Sequence, residues 1–232
     1  MIVLITTCGG RNLAYLQRLL RQIDASGWIG RRVLISDGPM PVLSSWSVTC
    51  SARREGQKRT YWRALAVGLE EARRHRADRI LILEDDVELC RNALRYMAGA
   101  RLPRVLDFVT WFDGHMVPRG SRPGIYPMPA DRFFCLQGVT WQIPTAEMLL
   151  RAPASAAWAE KHSGDILIAN ILRQRQYGVH VPNLVQHLGA QSICNPGQGL
   201  TGVRVANNYP GPGFDALTLG RPAPDRIVMA AR

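Results

Sequence analysis

The sequence predicts an α/β fold with a mainly parallel central sheet flanked by helices, and two observations support this. Residues 2–6 form a short β-branched run, a helical pattern follows at 12–25, and a second apolar run occupies 32–36. The central observation is the run from Ile80 to Leu83, where four apolar residues follow one another without alternation. A strand buried on both faces has this pattern, as in a parallel sheet that helices cover.

Helices are predicted where apolar residues recur at three- and four-residue spacing. In the first helix these are Leu13, Leu16, Leu19, Leu20 and Ile23, with Asn12 as the candidate N-cap. Further helices are expected at about 58–76, after a cap at Thr145, and at 163–173. A short helix is also expected after the three acids that follow Leu83, and it should end at about Met97. Further strands are expected at 107–112, within 133–143 and at 179–181. The strand–helix–strand opening is typical of nucleotide-binding α/β units.

Two longer segments are predicted to be irregular. Residues 113–131 are rich in glycine and proline and contain Arg119 and Arg122. A loop of that length inside a compact domain is usually functional. We expect one domain over residues 1–198 and an irregular tail over 199–232 packed on it. No apolar run approaches the roughly 20 residues that a membrane span needs.

The chain is strongly basic, with 29 lysines and arginines against 18 acids, a formal net charge of +11 and a pI near 10.2. A basic balance of this size favours a polyanionic partner such as nucleic acid or an anionic membrane. Composition supports equally well the alternative that the arginines reflect a GC-rich genome and phosphate-bearing substrates.

Cysteine usage points to a reducing compartment. The five cysteines are widely scattered and form no C-x-x-C pair, which argues against a zinc site and against a disulfide framework. The N-terminus lacks the basic and long apolar regions of a signal peptide. We therefore expect a cytoplasmic protein of a bacterium or of a phage-infected cell.

Three acids, Glu84, Asp85 and Asp86, follow the central apolar run directly. At the end of a buried strand they would repel one another unless a cation or a donor-rich ligand lay there. Ligands of open α/β sheets bind at that edge, and alternation along the chain places Glu84 and Asp86 on one side. Hard oxygen ligands of this kind suit Mg²⁺ or Mn²⁺ carrying a substrate phosphate. The alternative is a solvated acidic turn before a helix.

Glycine and arginine positions add weaker indications. Residues 8–10, Cys-Gly-Gly, let the backbone approach a ligand, but neither G-x-G-x-x-G nor a P-loop motif is present. Gly138, inside a predicted strand, indicates close approach of a ligand or of another backbone. Lys58 or Arg63, near the start of the second helix, is a candidate contact for a pyrophosphate.

Taken in order, these motifs resemble the nucleotide-sugar-dependent glycosyltransferases with the GT-A fold. The resemblance is carried by the strand–helix–strand opening, the EDD triplet at 84–86, Asp165 at a helix start and the late segment VQHLG at 185–189. It covers roughly residues 1–195 and departs from the more familiar DxD motif in having glutamate first. It implies a GT-A-like, Rossmann-like fold, a UDP-sugar donor and an acceptor hydroxyl.

The resemblance also assigns roles to residues. Asp86 would be the main ligand of Mn²⁺ or Mg²⁺ and His187 would complete the coordination sphere, while Glu84 or Asp85 would approach the ribose or a metal-bound water. The positions that match those holding the nucleoside are Thr6, Thr7, Arg11 and Asp37, and Ser192 would contact the diphosphate. Asp165 matches the catalytic base, which in an inverting enzyme takes the proton of the acceptor hydroxyl.

Spacing alone leaves other interpretations open for three of these residues. Asp37 also suits a type I turn before Gly38, and Asp165 suits a first-turn acid that the helix dipole favours. His187 equally suits a buried histidine with satisfied hydrogen bonds. The aromatic residues of the predicted strands are candidate sugar platforms, although strand aromatics more often belong to the core. They are Trp111, Phe112, Tyr126 and Trp141.

The sequence thus predicts a metal-dependent, inverting glycosyltransferase that uses a UDP-sugar. Its acceptor is either DNA, for instance hydroxymethylated bases of a phage genome, or a glycan. Two alternatives belong to other classes. A nucleotidyltransferase on a similar sheet usually carries a glycine-rich phosphate loop, which residues 8–11 match only in part. A non-catalytic nucleic-acid-binding module would explain the charge but not the acids at a strand end.

Overall fold

A computed structural model of the protein describes residues 1–8, 13–40, 46–152, 163–189 and 205–220. The strands are β1 (Ile2–Cys8), β2 (Arg32–Asp37), β3 (Ser47–Cys50), β4 (Arg79–Glu84), β5 (Val87–Leu89), β6 (Phe108–Thr110), β7 (Gly124–Pro129), β8 (Gly138–Gln142), β9 (Gln176–Val181) and β10 (Val185–His187). The helices are α1 (Leu13–Ala25), α2 (Gln57–His75), α3 (Ala93–Gly99), α4 (Ile143–Arg151) and α5 (Gly164–Ile171). Short 3₁₀ helices cover Ala130–Arg132 and Ala216–Leu219.

Eight strands form one mixed sheet in the order β3-β2-β1-β4-β8-β6-β9-β7. The first four run parallel to one another, as do β6 and β9, whereas β8 and β7 run antiparallel to their neighbours. The two remaining strands, β5 and β10, pair with each other in an antiparallel ribbon. The predicted α/β class with a mainly parallel central sheet is confirmed.

The sheet is covered on both faces, which explains the uninterrupted apolar run of β4. Ile80 and Ile82 pack in one core with α2, while Leu81 and Leu83 pack in a second core with α1 and α3. All four of these β4 side chains are 0% exposed. Alternate residues of a strand face opposite sides, so a strand with helices on both sides needs apolar residues at every position.

Several elements differ from the sequence-based expectation because long-range pairing created them. The predicted loop 113–131 contains β7, which pairs with β9 along the edge of the sheet, where its two prolines are tolerated. Strand β3 has no counterpart among the strands predicted from the sequence. Residues 87–89 form strand β5 against β10, so α3 begins only at Ala93. Thr145 lies inside α4 rather than at its cap, and its hydroxyl donates to Asp107 Oδ1 at 3.1 Å.

The part of the tail that the structure describes, residues 205–220, lies on the β5–β10 ribbon and on α3. The backbone N–H of Ala206 donates to Gln186 Oε1 at 2.8 Å, and the N–H of Arg91 donates to the carbonyl of Pro212 at 3.1 Å. The predicted domain boundary at residue 198 and the predicted N-cap Asn12 lie outside the described residues. Among the described helices, none has both the length and the apolarity to cross a membrane.

Candidate metal centre

The carboxyl ends of three parallel strands bring the predicted site residues to one edge of the sheet. Thr6 of β1 lies opposite Glu84 of β4, and Cys8 of β1 lies opposite Asp37 of β2. The hydroxyl of Thr6 donates to the carbonyl of Leu83 at 3.3 Å. Because the carboxyl ends of parallel strands lie at the same edge of a sheet, residues that are far apart in sequence meet there.

The three acids at the carboxyl end of β4 are buried, and each has a different partner. Glu84 Oε1 accepts a hydrogen bond from the side-chain amide of Gln57, at the start of α2, at 2.7 Å. Asp85 Oδ2 accepts one from the hydroxyl of Thr7 in β1 at 2.6 Å. These separate partners hold like charges close together in a buried position. The alternative of a solvated acidic turn does not fit carboxylates that are 8%, 3% and 1% exposed for Glu84, Asp85 and Asp86.

The third acid, Asp86, meets His187 because the β5–β10 ribbon brings the late segment back to the end of β4. His187 pairs with Val87, and the N–H of Leu188 donates to the carbonyl of Asp86 at 2.7 Å. His187 Nε2 then lies 2.9 Å from Asp86 Oδ2. Helix α1 supports the ribbon, since the side chain of Gln22 exchanges hydrogen bonds with the backbone of Leu89.

Glu84, Asp86 and His187 form a group that could hold a divalent cation. One ligand atom from each lies within 4.8 Å of the others. Two ligands of one small cation, each bound at about 2.1 Å, lie about 3 Å apart when adjacent and about 4 Å apart when opposite. His187 Nδ1 is buried and has no hydrogen-bond partner among the described residues. The donor set of two carboxylates and one imidazole therefore fits Mn²⁺ or Mg²⁺, with the imidazole better suited to Mn²⁺.

A fourth carboxylate, Asp165, lies in the first turn of α5 and is 7% exposed. Its Oδ2 accepts a hydrogen bond from the N–H of Cys135 at 3.3 Å, and its Oδ1 accepts one from the N–H of Ile166 at 3.0 Å. The hydroxyl of Ser163 also donates to Oδ1. Cys135 has a φ of +87°, a conformation that costs energy in a non-glycine residue and is common near functional sites. These contacts fix the orientation of the Asp165 carboxylate.

Tyr61 of α2 is buried in the core beneath the sheet edge and is bonded to Trp141 of β8. Its hydroxyl accepts a hydrogen bond from the indole N–H of Trp141 at 2.9 Å. Burial raises the pKa of Tyr61 well above its usual range; the Trp141 hydrogen bond opposes that rise, and the charges of Glu84 and Asp165 add to it. The charges of both carboxylates therefore act on the same buried hydroxyl.

Asp37 and Arg63 are bonded to the segment that precedes α2. Asp37 accepts hydrogen bonds from the N–H groups of Glu55 at 2.6 Å and Gly56 at 3.0 Å. Arg63 forms an ion pair with Glu55 and lies 3.5 Å from the carbonyl of Ser36. The predicted contacts of Asp37 with a nucleoside and of Arg63 with a pyrophosphate stay predictions, as do those of Thr6 and Thr7. Two further predicted contacts, Arg11 and Ser192, lie outside the described residues.

Gly138 begins β8 opposite Leu83 of β4. A Cβ atom at this position would lie 2.9 Å from Val185 Cγ2, closer than carbon atoms normally approach. The missing side chain lets Val185, and with it the ribbon that carries His187, pack against the central sheet. This packing gives a physical reason for the glycine, and its predicted contact with a nucleotide sugar stays a prediction.

Most of the candidate aromatic platforms belong to the core instead. Trp111 and Trp141 are 0% exposed and Phe112 is 1% exposed, so none of them offers a ring face to a sugar. Tyr126 is partly exposed on the edge strand β7, and its hydroxyl donates to the carbonyl of Arg122 at 2.9 Å.

No family model matches the chain, and no curated protein sequence matches it. Several solved structures are similar to the chain, including the following two. One is the galactosyltransferase LgtC in complex with donor and acceptor sugar analogs, with a TM-score of 0.49 and 14% identity, covering 86% of this chain and 92% of that one. The other is A197 from STIV, with a TM-score of 0.46 and 13% identity, covering 80% of this chain and 84% of that one. Likeness at these identities assigns no substrate and no residue role to this chain.

Three residues near the acids were not found from the sequence. Gln57 and Tyr61 lie on α2, where the sequence shows only a helical pattern. Gln137 precedes Gly138, and its carbonyl accepts the N–H of Glu84 at 3.2 Å. Its side chain is buried, and Oε1 has no hydrogen-bond partner within the described part of the chain. No motif marks these positions, because only the packing of α2 and β8 against β4 brings them to the acids.

Proposed function

We propose that this protein is a metal-dependent glycosyltransferase that moves a sugar from a UDP-sugar to an acceptor hydroxyl with inversion at the anomeric carbon. The observation that carries the proposal is the buried group of Glu84, Asp86 and His187 at the carboxyl end of the central strand. Two buried carboxylates repel each other, and a bound cation would remove that cost. The imidazole of His187 beside them is a further ligand type that Mn²⁺ accepts.

Asp86 and His187, together with Glu84, would hold Mn²⁺ or Mg²⁺ at this edge. The bound cation would supply positive charge to the diphosphate that leaves the sugar. The protein's own contribution is geometric: β4 ends at Glu84, and the ribbon holds His187 beside Asp86. Thr6, Thr7 and Asp37 line the ends of the neighbouring strands, where the nucleoside would bind.

Asp165 is the proposed catalytic base. An ionised carboxylate offers about four acceptor sites, and the donors from Cys135, Ser163 and Ile166 occupy three of them. The remaining capacity would take the proton of the acceptor hydroxyl. In the same step the acceptor oxygen forms a bond to the anomeric carbon, and the bond from that carbon to the diphosphate oxygen breaks.

The deciding experiment is a calorimetric titration of the protein with UDP-glucose, UDP-N-acetylglucosamine, UDP-galactose and CTP, with and without Mn²⁺. We expect Mn²⁺-dependent binding of one UDP-sugar. Asp86→Asn should weaken it by about 100-fold or more, because the ligand loses its charge. Asp131→Asn, at an exposed acid of the Ala130–Arg132 3₁₀ helix, is the matched control and should bind normally.

Other outcomes of this titration would overturn the proposal. Binding of no nucleotide sugar, or equal binding after chelation of the metal, would contradict it. Binding of CTP alone would favour a nucleotidyltransferase. Asp165→Asn tests the base separately: donor binding should persist while turnover falls by about 100-fold or more.

The acceptor that the charge favours is a polyanion such as DNA. The net charge is +11, and the segment before and after β7 exposes Arg119, Arg122 and Arg132. An enzyme that modifies a base must act on single strands or flip the base, and this segment is a candidate contact. We expect affinity for hydroxymethylated DNA to fall steeply with the logarithm of salt concentration. Salt-insensitive or absent DNA binding would leave a glycan as the acceptor.

A further inference from the structure

The segment that precedes α2 is attached to the end of β2 by a side chain that is distant in sequence. Both carboxylate oxygens of Asp37 accept backbone N–H groups, from Glu55 at 2.6 Å and from Gly56 at 3.0 Å. Arg63, further along α2, pairs with the carboxylate of Glu55. We call Asp37, Glu55, Gly56 and Arg63 the α2 anchor.

The α2 anchor holds the two residues just before α2 and is not an ordinary helix cap, which would accept N–H groups of the first turn. Gly56 occupies the N-cap position of α2 and therefore has no side chain that could accept the first free N–H groups. Asp37, which is 4% exposed at the end of β2, accepts the N–H groups of Gly56 itself and of Glu55 before it. The position of the α2 start is consequently tied to the carboxyl edge of the sheet rather than set by the local sequence.

Gln57 follows the α2 anchor directly and reaches the candidate metal centre. Its side-chain N–H donates to Glu84 Oε1 at 2.7 Å. An amide donor orients a carboxylate without neutralising it, whereas an arginine or lysine at this position would compete with a cation for the same charge. The residue type therefore suits a carboxylate that has to be held in place and yet stay available as an anion.

We propose that Gln57 is a positioning residue for Glu84, and that Asp37 and Arg63 act through it by fixing the start of α2. In this arrangement the α2 anchor sets the direction of the Glu84 carboxylate relative to Asp86 and His187. The part that concerns the metal rests on the proposed function. The coupling between Gln57 and Glu84 does not, because it belongs to the metal-free protein.

The first test is the dissociation constant for Mn²⁺ alone, measured by calorimetry without any nucleotide. Gln57→Leu keeps a side chain of similar size and removes the donor, and it should weaken Mn²⁺ binding about tenfold, as loss of such supporting contacts does at metal sites. Gln17→Leu, the same change at an exposed position of α1, is the control and should have no effect. Equal Mn²⁺ affinity of Gln57→Leu and the wild type would overturn the proposal.

Asp37→Asn separates a positioning role from direct contact with a nucleoside. Acting through Gln57, it should weaken binding of Mn²⁺ alone about threefold to tenfold, and it should add little to Gln57→Leu in the double variant. If Asp37 contacts only the nucleoside, Mn²⁺ affinity stays at the wild-type value while UDP affinity falls. That result would overturn the positioning role of the α2 anchor.

A second measurement keeps this inference separate from the proposed function. Urea unfolding of the metal-free protein with Gln57→Leu, Glu84→Gln and both changes gives the coupling of the two side chains. We expect the effects on the unfolding equilibrium constant to depart from additivity by about threefold or more, as for a hydrogen bond to a charged group. If the wild type bound no Mn²⁺ but this coupling were present, the proposed function would fail and Gln57 would still position Glu84. Additive effects would overturn the positioning role even in a protein that binds Mn²⁺.

Discussion

Two buried histidines on consecutive strands have opposite surroundings. His180 of β9 is 2% exposed, and both of its ring nitrogens have partners. Its Nδ1 lies 2.7 Å from the carbonyl of Pro182, which can only accept, so Nδ1 carries the proton. Its Nε2 therefore accepts from the hydroxyl of Tyr96 at 3.0 Å. Trp111 packs against the ring, with the centroids 4.8 Å apart.

His187 of β10 is nearly as buried but has hydrogen-bonding capacity left over. Its Nε2 faces the carboxylate of Asp86, and its Nδ1 has no partner among the described residues. Burial alone therefore does not distinguish a structural histidine from a ligand. The distinction lies in what each ring faces: neutral groups that satisfy both nitrogens of His180, or the carboxylate of Asp86, which could also bind a cation beside His187.

The largest expected effect concerns the pH dependence of His180. Burial lowers the pKa of His180 to about 4, although its hydrogen bond to the Pro182 carbonyl opposes this shift. The unfolded chain has a histidine pKa near its ordinary value of about 6.5. Between these values only the unfolded chain binds the proton, so stability is lost as the pH falls from about 6.5 to 4. The loss should reach about 3 kcal/mol.

Urea unfolding at a series of pH values would measure this loss. His180→Gln removes the titrating ring, so the variant should be less stable than the wild type at pH 7 and show a shallower decline down to pH 4. The difference between the two curves isolates His180 from acids such as Glu71 and Asp78, whose pKa values are lowered mainly by hydrogen bonds from arginine. Parallel curves would show that His180 is not a neutral, buried group in the folded protein.

Next in size is the effect of His187→Ala on metal binding. Removal of a ligand imidazole should weaken Mn²⁺ binding by about 10- to 100-fold, while unfolding of the metal-free protein changes by about 1 kcal/mol or less. His180→Ala should do the reverse and cost stability without changing Mn²⁺ affinity once the variant is folded. If both variants lost stability and still bound Mn²⁺, the distinction between a structural His180 and a metal-binding His187 would be contradicted.

A smaller effect is expected at Gly138, where the β5–β10 ribbon that carries His187 packs against the central sheet. Gly138→Ala places a methyl group 2.9 Å from Val185 Cγ2 and should destabilise the protein by about 1–3 kcal/mol. Val185→Ala makes room, so the double variant should be more stable than the sum of the single effects predicts. A Gly138→Ala protein of wild-type stability that failed to bind UDP-sugar would instead support a direct ligand contact at this position.

The smallest effect is expected for Tyr96→Phe. The change leaves His180 Nε2 without its donor and should cost about 1 kcal/mol in the free energy of unfolding. Mn²⁺ affinity should stay unchanged, because Tyr96 belongs to the α3–β9 contact and not to the acids. A thermal unfolding curve together with one Mn²⁺ titration is sufficient to check both statements.

The local pattern of apolar residues predicted the elements whose own sequence shows the period of the buried face. Helix α1 and the central strand β4 lie where their apolar spacing indicated, because each buries a face whose period the chain shows directly. The elements that local pattern missed are those formed by pairing: β3, the edge strand β7 and the β5–β10 ribbon. Their residues carry little periodicity, and a distant partner decides whether they become strands.

The site divides in the same way. The sequence alone identified Glu84, Asp85 and Asp86 as candidate site residues, since burying three neighbouring carboxylates at the end of an apolar strand costs free energy. The meeting of Asp86 with His187 is decided by the ribbon, across 101 residues of sequence. The contact of Gln57 with Glu84 is decided by Asp37, which holds the start of α2 from a neighbouring strand. The sequence thus determined which side chains carry charge at the sheet edge, whereas only tertiary packing decided which of them touch, because hydrogen bonds and ligand distances depend on the placement of whole elements.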